Sequence, residues 1–154
     1  MSDADTVKID FKKIIPSTVQ EQTALEIPYG KKTYRLPSET KVYSIDCLII
    51  GYKLEDDKDI HIIIEDEKTD STMVIEIPSS ECFDIQKTSR YILFNDLDEW
   101  FSKNIGHPTS KFVFLEKHIP VTITGVGFWD KLHGQKGTAH NGREIHPVLS
   151  IKLK

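Results

Sequence analysis

The sequence is poor in cysteine, with only Cys47 and Cys82, and their separation is not that of paired metal ligands. Cys47 lies within an apolar segment, which predicts a small core residue. A Cys47–Cys82 disulfide is the alternative. So few cysteines favour a reduced, cytoplasmic protein over a disulfide-stapled secreted one.

The sequence also lacks any apolar run near the roughly 20 residues that a membrane helix needs, so we expect no membrane association. The segment Met1–Asp5 is acidic and no apolar stretch follows it, which is not the pattern of a signal peptide. The net charge of −4 argues against a generic binder of phosphate backbones, although a local basic loop can still act.

Motifs that define common enzyme classes are missing as well. The chain contains no Gly-x-Ser-x-Gly, phosphate-binding loop or His-Glu-x-x-His motif. Gly125 and Gly127 lack the third glycine of a dinucleotide fingerprint, so we interpret them as points of strand curvature. The sequence therefore predicts no cofactor, and it leaves open whether the protein is an enzyme.

The sequence does contain short β-type segments at regular intervals, within one domain-sized chain of 154 residues. Apolar residues alternate with polar ones, and polar turns separate the segments. The predicted strands are Val42–Lys53, Asp59–Glu65, Thr72–Ile77, Ile119–Trp129 and Glu144–Leu153. A short extended piece is predicted at Lys111–Phe114. Gly51 predicts a bend or bulge in the first of these strands.

One segment changes period. From Thr88 to Ile105 the apolar residues recur every three or four positions, which predicts an amphipathic helix that ends near Gly106. The order β-β-β-α-β-β indicates an all-β fold with one helix, an OB-fold-like five-stranded barrel. An SH3-like barrel and an open α+β roll are the alternatives.

The first 36 residues are predicted to form an N-terminal extension that packs on the main body, residues 37–154. An edge strand is predicted at Val7–Ile15. A short helix follows at Val19–Ile27, because Ser17 or Thr18 can cap it and Glu21 completes a capping box. Pro28, Gly30 and Pro37 then mark a connector.

Period-2 geometry brings three of these strands' polar residues together in such a barrel. His61, Glu76 and His146 lie on the polar faces of the second, third and fifth strands, with Asp59 and Glu144 at the rim. Two imidazoles and a carboxylate suit acid–base catalysis near neutral pH, and they also suit a divalent metal. An outward-facing patch of cross-strand pairs with no function beyond the sheet is the plain alternative. We take His61, Glu76 and His146 as candidate catalytic residues and assign no metal.

The loop 130–143 is the second candidate site. OB-fold proteins use the loop between their last two strands to hold oligonucleotides. Here it combines basic, imidazole and aromatic side chains, which suit phosphate attraction and base stacking. The candidate ligand-binding residues are Trp129, Lys131, His133, Lys136, His140 and Arg143. A flexible hairpin turning at Asn141-Gly142 is the alternative.

The sequence therefore favours a small binding module for single-stranded nucleic acid or a nucleotide-like ligand. The acidic run Glu55-Asp56-Asp57 counts against this partner because it would repel phosphates. The alternatives are a small nuclease-like or phosphodiesterase-like hydrolase and a structural protein-interaction domain.

Several strings in residues 40–153 also resemble a family of small uncharacterised bacterial proteins. The strings run from Glu55 to His61, from Met73 to Pro78 and from Gly125 to Leu149, and they are similar to "EDDGDxH", "MIxEIP" and "GVGFFDxxHGQTGxAPNGxELHPVL". This chain departs from that pattern at Lys136, Thr138, Ala139, His140 and Arg143. The resemblance implies an OB-fold-like protein in which these segments form one shared feature, and it implies no catalytic role.

Overall fold

The protein is described by a computed structural model covering residues 8–27, 34–132, 134 and 136–154. It is mostly β, with one sheet of six strands and a few short helices. Val7, Pro28, Gly30 and His133, each used in a prediction above, lie outside the described residues. The elements are β1 (Ile14–Ser17), α1 (Val19–Thr23), β2 (Val42–Leu54), β3 (Ile60–Glu65), β4 (Thr72–Ile77), α2 (Phe83–Gln86), α3 (Tyr91–Asn104), β5 (Val113–Trp129) and β6 (Arg143–Leu153), with a 3₁₀ turn at Pro37–Glu39.

The strand pairings run from β2 through β3, β4, β6 and β5 and then return to β2. All of these pairs are antiparallel except β4 with β6, which is parallel. The first strand, β1, adds to β2 in parallel. The sheet thus places β3, β4 and β6 side by side.

The predicted strands and the long helix are present, with two differences. The predicted fourth strand and the short extended piece before it are one continuous strand, β5. The helix α1 matches the short helix predicted to start at Val19, although it ends earlier, at Thr23. Between β4 and β5 the described residues contain α2 as well as the long helix α3, so the prediction of a single helix there is wrong. Short helical turns leave little periodicity, because one turn spans fewer than four residues.

Gly51 lies at a bulge, as predicted, since the register of β2 shifts between Ile49 and Gly51 against both neighbours. A β-carbon at this position would come within 2.9 Å of the Val113 carbonyl oxygen, so the close approach of β5 requires glycine. Register shifts also fall at Gly125 and Gly127 in β5, where strand curvature was predicted.

The main core is formed by apolar side chains of β2 to β6 together with α1 and α3. Ile60, Ile62 and Ile64 of β3 are almost fully buried, in agreement with the predicted core face. Helix α3 contributes its apolar side through Phe94, Leu97 and Phe101. Burial of one such side chain contributes about 1.5–3 kcal/mol, so this face alone accounts for the position of α3. Both cysteines are free, and Cys47 is a core residue as predicted.

The N-terminal segment packs on the sheet through β1 and α1. Thr18 caps α1 and Glu21 completes the capping box, as the sequence predicts. The edge strand begins later than predicted, at Ile14, and Val19 is fully buried in the main core. The division into residues 1–36 and 37–154 stays a prediction. None of the helices in the described ranges has the length and apolar character needed to span a bilayer.

Candidate functional site

The register of three strands brings the two histidines and the glutamate together. His61 is the direct antiparallel partner of Glu76, and the parallel pairing of β4 with β6 brings His146 to the other side of Glu76. The Nδ1 atom of His61 lies 3.3 Å from Glu76 Oε1, and the Nδ1 atom of His146 lies 3.0 Å from Glu76 Oε2. Each carboxylate oxygen of Glu76 therefore faces one imidazole.

His61 is completely buried, so the expectation that the whole patch faces outward is wrong for this residue. The loop after β5 folds back over β3, and its Lys136 carbonyl oxygen lies 3.4 Å from His61 Nε2. The ring of Phe112 covers the same side, with its centroid 6.4 Å from that of His61. Local alternation cannot reveal such a cover, because it comes from distant parts of the chain.

Two acidic residues are placed differently from expectation. Glu144, predicted at the rim, is only 2% exposed, and it lies between Val74 of β4 and Phe128 of β5 in the sheet. Glu55 was treated as part of a repelling turn, but its Oε1 atom lies 3.2 Å from His61 Nδ1. Asp59 lies at the rim as expected, with Oδ2 3.8 Å from His146 Nε2. The position of Glu55 in a turn gave no periodic signal that could have identified it.

Glu55, Glu76, Glu144 and His146 border a pocket of about 490 Å³. Six of its eight lining residues are acidic, and the other two are Phe128 and His146. The phenyl ring of Phe128 packs edge-on against the His146 imidazole, with 5.5 Å between centroids. The lining acidic residues are Glu55, Asp56, Asp57, Glu76, Asp130 and Glu144.

Burial and hydrogen bonds act in opposite directions on the pKa values of Glu76 and Asp59. Burial acts to raise the pKa of Glu76, but the hydrogen bonds from His146 and His61 outweigh it and lower the pKa to about 2. Burial raises the pKa of Asp59 to about 6, although the Ser79 backbone N–H donates to its Oδ1 at 2.8 Å. Glu76 is therefore a fixed anion, whereas Asp59 can exchange a proton near neutrality.

The pKa values of Glu144 and His146 are both raised, but for different reasons. Burial raises the pKa of Glu144 to about 9, and the negative charges of Glu76, Asp130 and Glu55 add to the shift. Burial acts to lower the pKa of His146, but its hydrogen bond to Glu76 and the charges of Glu76 and Asp59 raise it overall. Glu144 therefore keeps its proton at neutral pH, which is the response expected of a buried carboxyl group beside other carboxylates.

Two overlapping groups in this cluster have the geometry of metal ligands. One consists of Asp59, Glu76 and His146, and the other of Glu55, His61 and Glu76, with the ligand atoms of each group within 4.8 Å of one another. In addition, the Oε1 atom of the buried Glu144 has no hydrogen-bond partner among the described residues, although it borders the same pocket. A buried oxygen without a hydrogen-bond partner destabilises the folded protein unless a ligand binds to it.

The candidate loop residues divide into three groups. Lys131, Lys136 and His140 are exposed, as a ligand-binding loop requires. His133 lies outside the described residues. Trp129 and Arg143 are committed to contacts within the protein.

Arg143 is fully buried, so it is not available on an exposed loop as the sequence suggested. It is the first residue of β6, and its guanidinium donates to Gln22 Oε1 at 2.9 Å, to the Ser38 carbonyl oxygen at 2.9 Å and to the Phe128 carbonyl oxygen at 3.3 Å. Its central carbon lies 5.0 Å from the centre of the Trp129 ring. Arg143 thus occupies the aromatic surface predicted for a ligand.

A different basic and aromatic cluster is present on the surface. The Nζ atom of Lys136 lies 5.8 Å from the ring centre of Phe112 and 5.4 Å from that of Phe114. The two rings are 4.7 Å apart, and Phe114 is 59% exposed. The sequence predicts Lys136 as a ligand-binding residue, but for the two phenylalanines it predicts only a short extended piece.

No family model matches the sequence, and comparisons with curated proteins and with solved structures likewise found no match. The resemblance to the bacterial family with similar strings therefore stays a prediction.

Proposed function

We propose that the protein is an OB-fold-like domain whose acidic pocket binds a divalent metal ion through Asp59, Glu76 and His146. Three features support the fold assignment. The pairings of β2 to β6 return to their starting strand, β4 is parallel to β6, and α3 lies between β4 and β5 in the chain. The pocket is lined by Glu76 of β4, Phe128 of β5, and Glu144 and His146 of β6, together with residues 55–57 and Asp130.

The observation that carries the functional proposal is the convergence of two carboxylates and one imidazole within 4.8 Å. Oxygen ligands suit Mg²⁺, Ca²⁺ and Mn²⁺, whereas imidazole suits Zn²⁺ and other transition metals, so this mixed set favours Mn²⁺ or Zn²⁺. The charge of the pocket agrees with a cation, because six acidic residues border it. The unpaired Glu144 oxygen supplies a further acceptor.

We expect Mn²⁺ to bind chelator-treated protein with saturable heat in calorimetry, and Asp59→Asn to weaken that binding at least tenfold. This substitution removes a charged ligand oxygen and keeps an oxygen that can accept from the Ser79 N–H. Loss of even an outer-sphere partner typically costs about 10–100-fold in metal affinity.

Asp56→Asn is the matched control, because Asp56 borders the pocket but belongs to neither ligand group. It should change Mn²⁺ affinity by no more than about twofold, since only screened attraction is lost. Equal weakening by both substitutions would mean that Mn²⁺ is held by the diffuse negative field alone. Absence of Mn²⁺ and Zn²⁺ binding by the parent protein would end the proposal.

A second candidate function is binding of single-stranded nucleic acid at the cluster of Lys136, Phe112 and Phe114. The exposed ring of Phe114 and the ammonium group beside it combine a stacking surface with a phosphate partner. Arg143 has no part in this interface, because it is buried.

We expect a short oligothymidylate to bind with an affinity that falls as salt increases, and Phe114→Ala to weaken it about tenfold through loss of stacking. Lys136→Glu should weaken binding further and reduce the salt dependence. Fluorescence anisotropy measures both quantities. Lys131→Glu is the control for net charge in the same loop, and an equal effect of Lys131→Glu and Lys136→Glu would reject the cluster as the binding surface.

The hydrolase that uses His61, Glu76 and His146 stays a prediction. A bound cation would supply the acidified water on which such reactions depend. The protein-interaction domain also stays a prediction.

A further inference from the structure

The second ligand group shares Glu76 with the first but uses the opposite side of its carboxylate. Glu76 Oε1 faces His61, and Glu76 Oε2 faces His146. Glu55 Oε1 lies 3.2 Å from the same Nδ1 atom of His61. The three ligand atoms of this group, from Glu55, His61 and Glu76, therefore surround a second position beside the first.

The orientation of His61 is fixed from its other nitrogen. Nε2 lies 3.4 Å from the Lys136 carbonyl oxygen, which can only accept, so the tautomer with its hydrogen on Nε2 is the one that makes this hydrogen bond. In a neutral ring with this hydrogen, Nδ1 carries a lone pair that points at two carboxylates. All three groups are then hydrogen-bond acceptors, and none of them donates. A carbonyl that orients an imidazole in this way is the usual outer-sphere partner of a metal-bound histidine.

A proton on Nδ1 does not complete the arrangement. The single N–H of Nδ1 can serve Glu76 Oε1, but Glu55 Oε1 then has no hydrogen-bond partner among the described residues. The other Glu55 oxygen is occupied by the Lys53 ammonium at 2.9 Å. The 2%-exposed Glu144, also with an unpaired oxygen, borders the same pocket. One cation can bind several of these oxygens at once, whereas one proton can be shared by only two atoms.

We infer that Glu76 bridges two divalent cations, one held with Asp59 and His146 and the other with Glu55 and His61. This inference rests on the proposed function for the first of the two ions. A bridging carboxylate holds two ions about 3.5–4 Å apart, the separation found in two-metal sites that act on phosphate esters and peptides. Phosphate esters are the ligand class that such a pair would take, because two cations offset the negative charge of the pocket.

The test is the number of Mn²⁺ ions bound per chain, measured by equilibrium dialysis and metal analysis of chelator-treated protein. We expect two ions in the parent and one in Glu55→Gln, which removes the charge of a second-site ligand and leaves Asp59 and His146 intact. Magnetic coupling between the two Mn²⁺ ions should appear in the electron paramagnetic resonance spectrum of the parent and be lost in Glu55→Gln. Asp57→Asn, at the pocket wall outside both groups, should retain two coupled ions.

The outcomes separate the two proposals. One ion in both the parent and Glu55→Gln overturns the bridged pair and leaves the single-metal function standing. Two ions that persist uncoupled in Glu55→Gln show that the second ion binds elsewhere, which also overturns the inference. No ion in the parent overturns the proposed function and the bridged pair together.

Discussion

Arg143→Ala is expected to destabilise the protein by about 3–5 kcal/mol, because it leaves several buried acceptors unpaired and a cavity beside them. The guanidinium contacts Gln22, Ser38 and Phe128, which belong to three separate parts of the chain. It also packs over the rings of Tyr43 and Trp129. Urea unfolding of the parent and the variant measures the difference in the free energy of unfolding.

Lys131→Ala is the matched control, since Lys131 is a basic residue of the same connection but is exposed. It should change the unfolding free energy by less than about 0.5 kcal/mol. Arg143→Lys should lower the free energy of unfolding by an amount between those of Arg143→Ala and Lys131→Ala, because a single ammonium cannot reproduce the planar set of donors. If Arg143→Ala were as stable as Lys131→Ala, the buried contacts of this guanidinium would have no net stabilising effect.

Glu144→Gln is expected to stabilise the protein by about 1–3 kcal/mol at about pH 7 in the presence of chelator. The folded state keeps Glu144 protonated because its pKa is raised to about 9, whereas the unfolded chain releases that proton above the ordinary pKa of 4.5. Stability is therefore lost progressively as pH rises from about 4.5 towards 9, at up to about 1.4 kcal/mol per pH unit. A glutamine is neutral in both states and avoids this loss.

The pH dependence distinguishes this cause from simple packing. At about pH 4, where Glu144 is mostly protonated in the folded and unfolded states, the stabilising effect should largely disappear. Glu116→Gln makes the same change of charge at an exposed position of β5 and should have little effect at either pH. A Glu144→Gln effect that is equal at both pH values would contradict the raised pKa as its source.

The sequence predicts the repetitive parts of this molecule well, because alternation and capping are local. The isoleucines of β3, the capping box of Thr18 and Glu21, and the bulge at Gly51 follow from neighbours within a few positions. The pairing of His61 with Glu76 also follows, since it needs only the strand order and a period of two. The convergence of the patch was therefore within reach of the sequence.

The burial of the site could not be predicted from the sequence, because it depends on contacts between distant segments. His61 is covered by Lys136, 75 positions away along the chain. Arg143 is held by Gln22, a separation of 121 positions. A polar residue on the predicted outer parity of a strand gives no sign that another segment will fold over it, and for this reason Glu144 and Arg143 were both expected nearer the surface.

The hydrogen bond from Arg143 to Gln22 has a consequence for how the chain can be divided. The Asn141 side-chain amide also donates to the carbonyl oxygens of Gln22 and Leu25, so α1 and the start of β6 hold each other in place. A truncated protein that begins at residue 37 would keep all the strands from β2 to β6 but would expose the guanidinium of Arg143, which is fully buried when the N-terminal segment is in place. The N-terminal segment therefore helps to bury the start of β6, and excising it would remove the Gln22 partner of Arg143 and the backbone acceptors of Asn141.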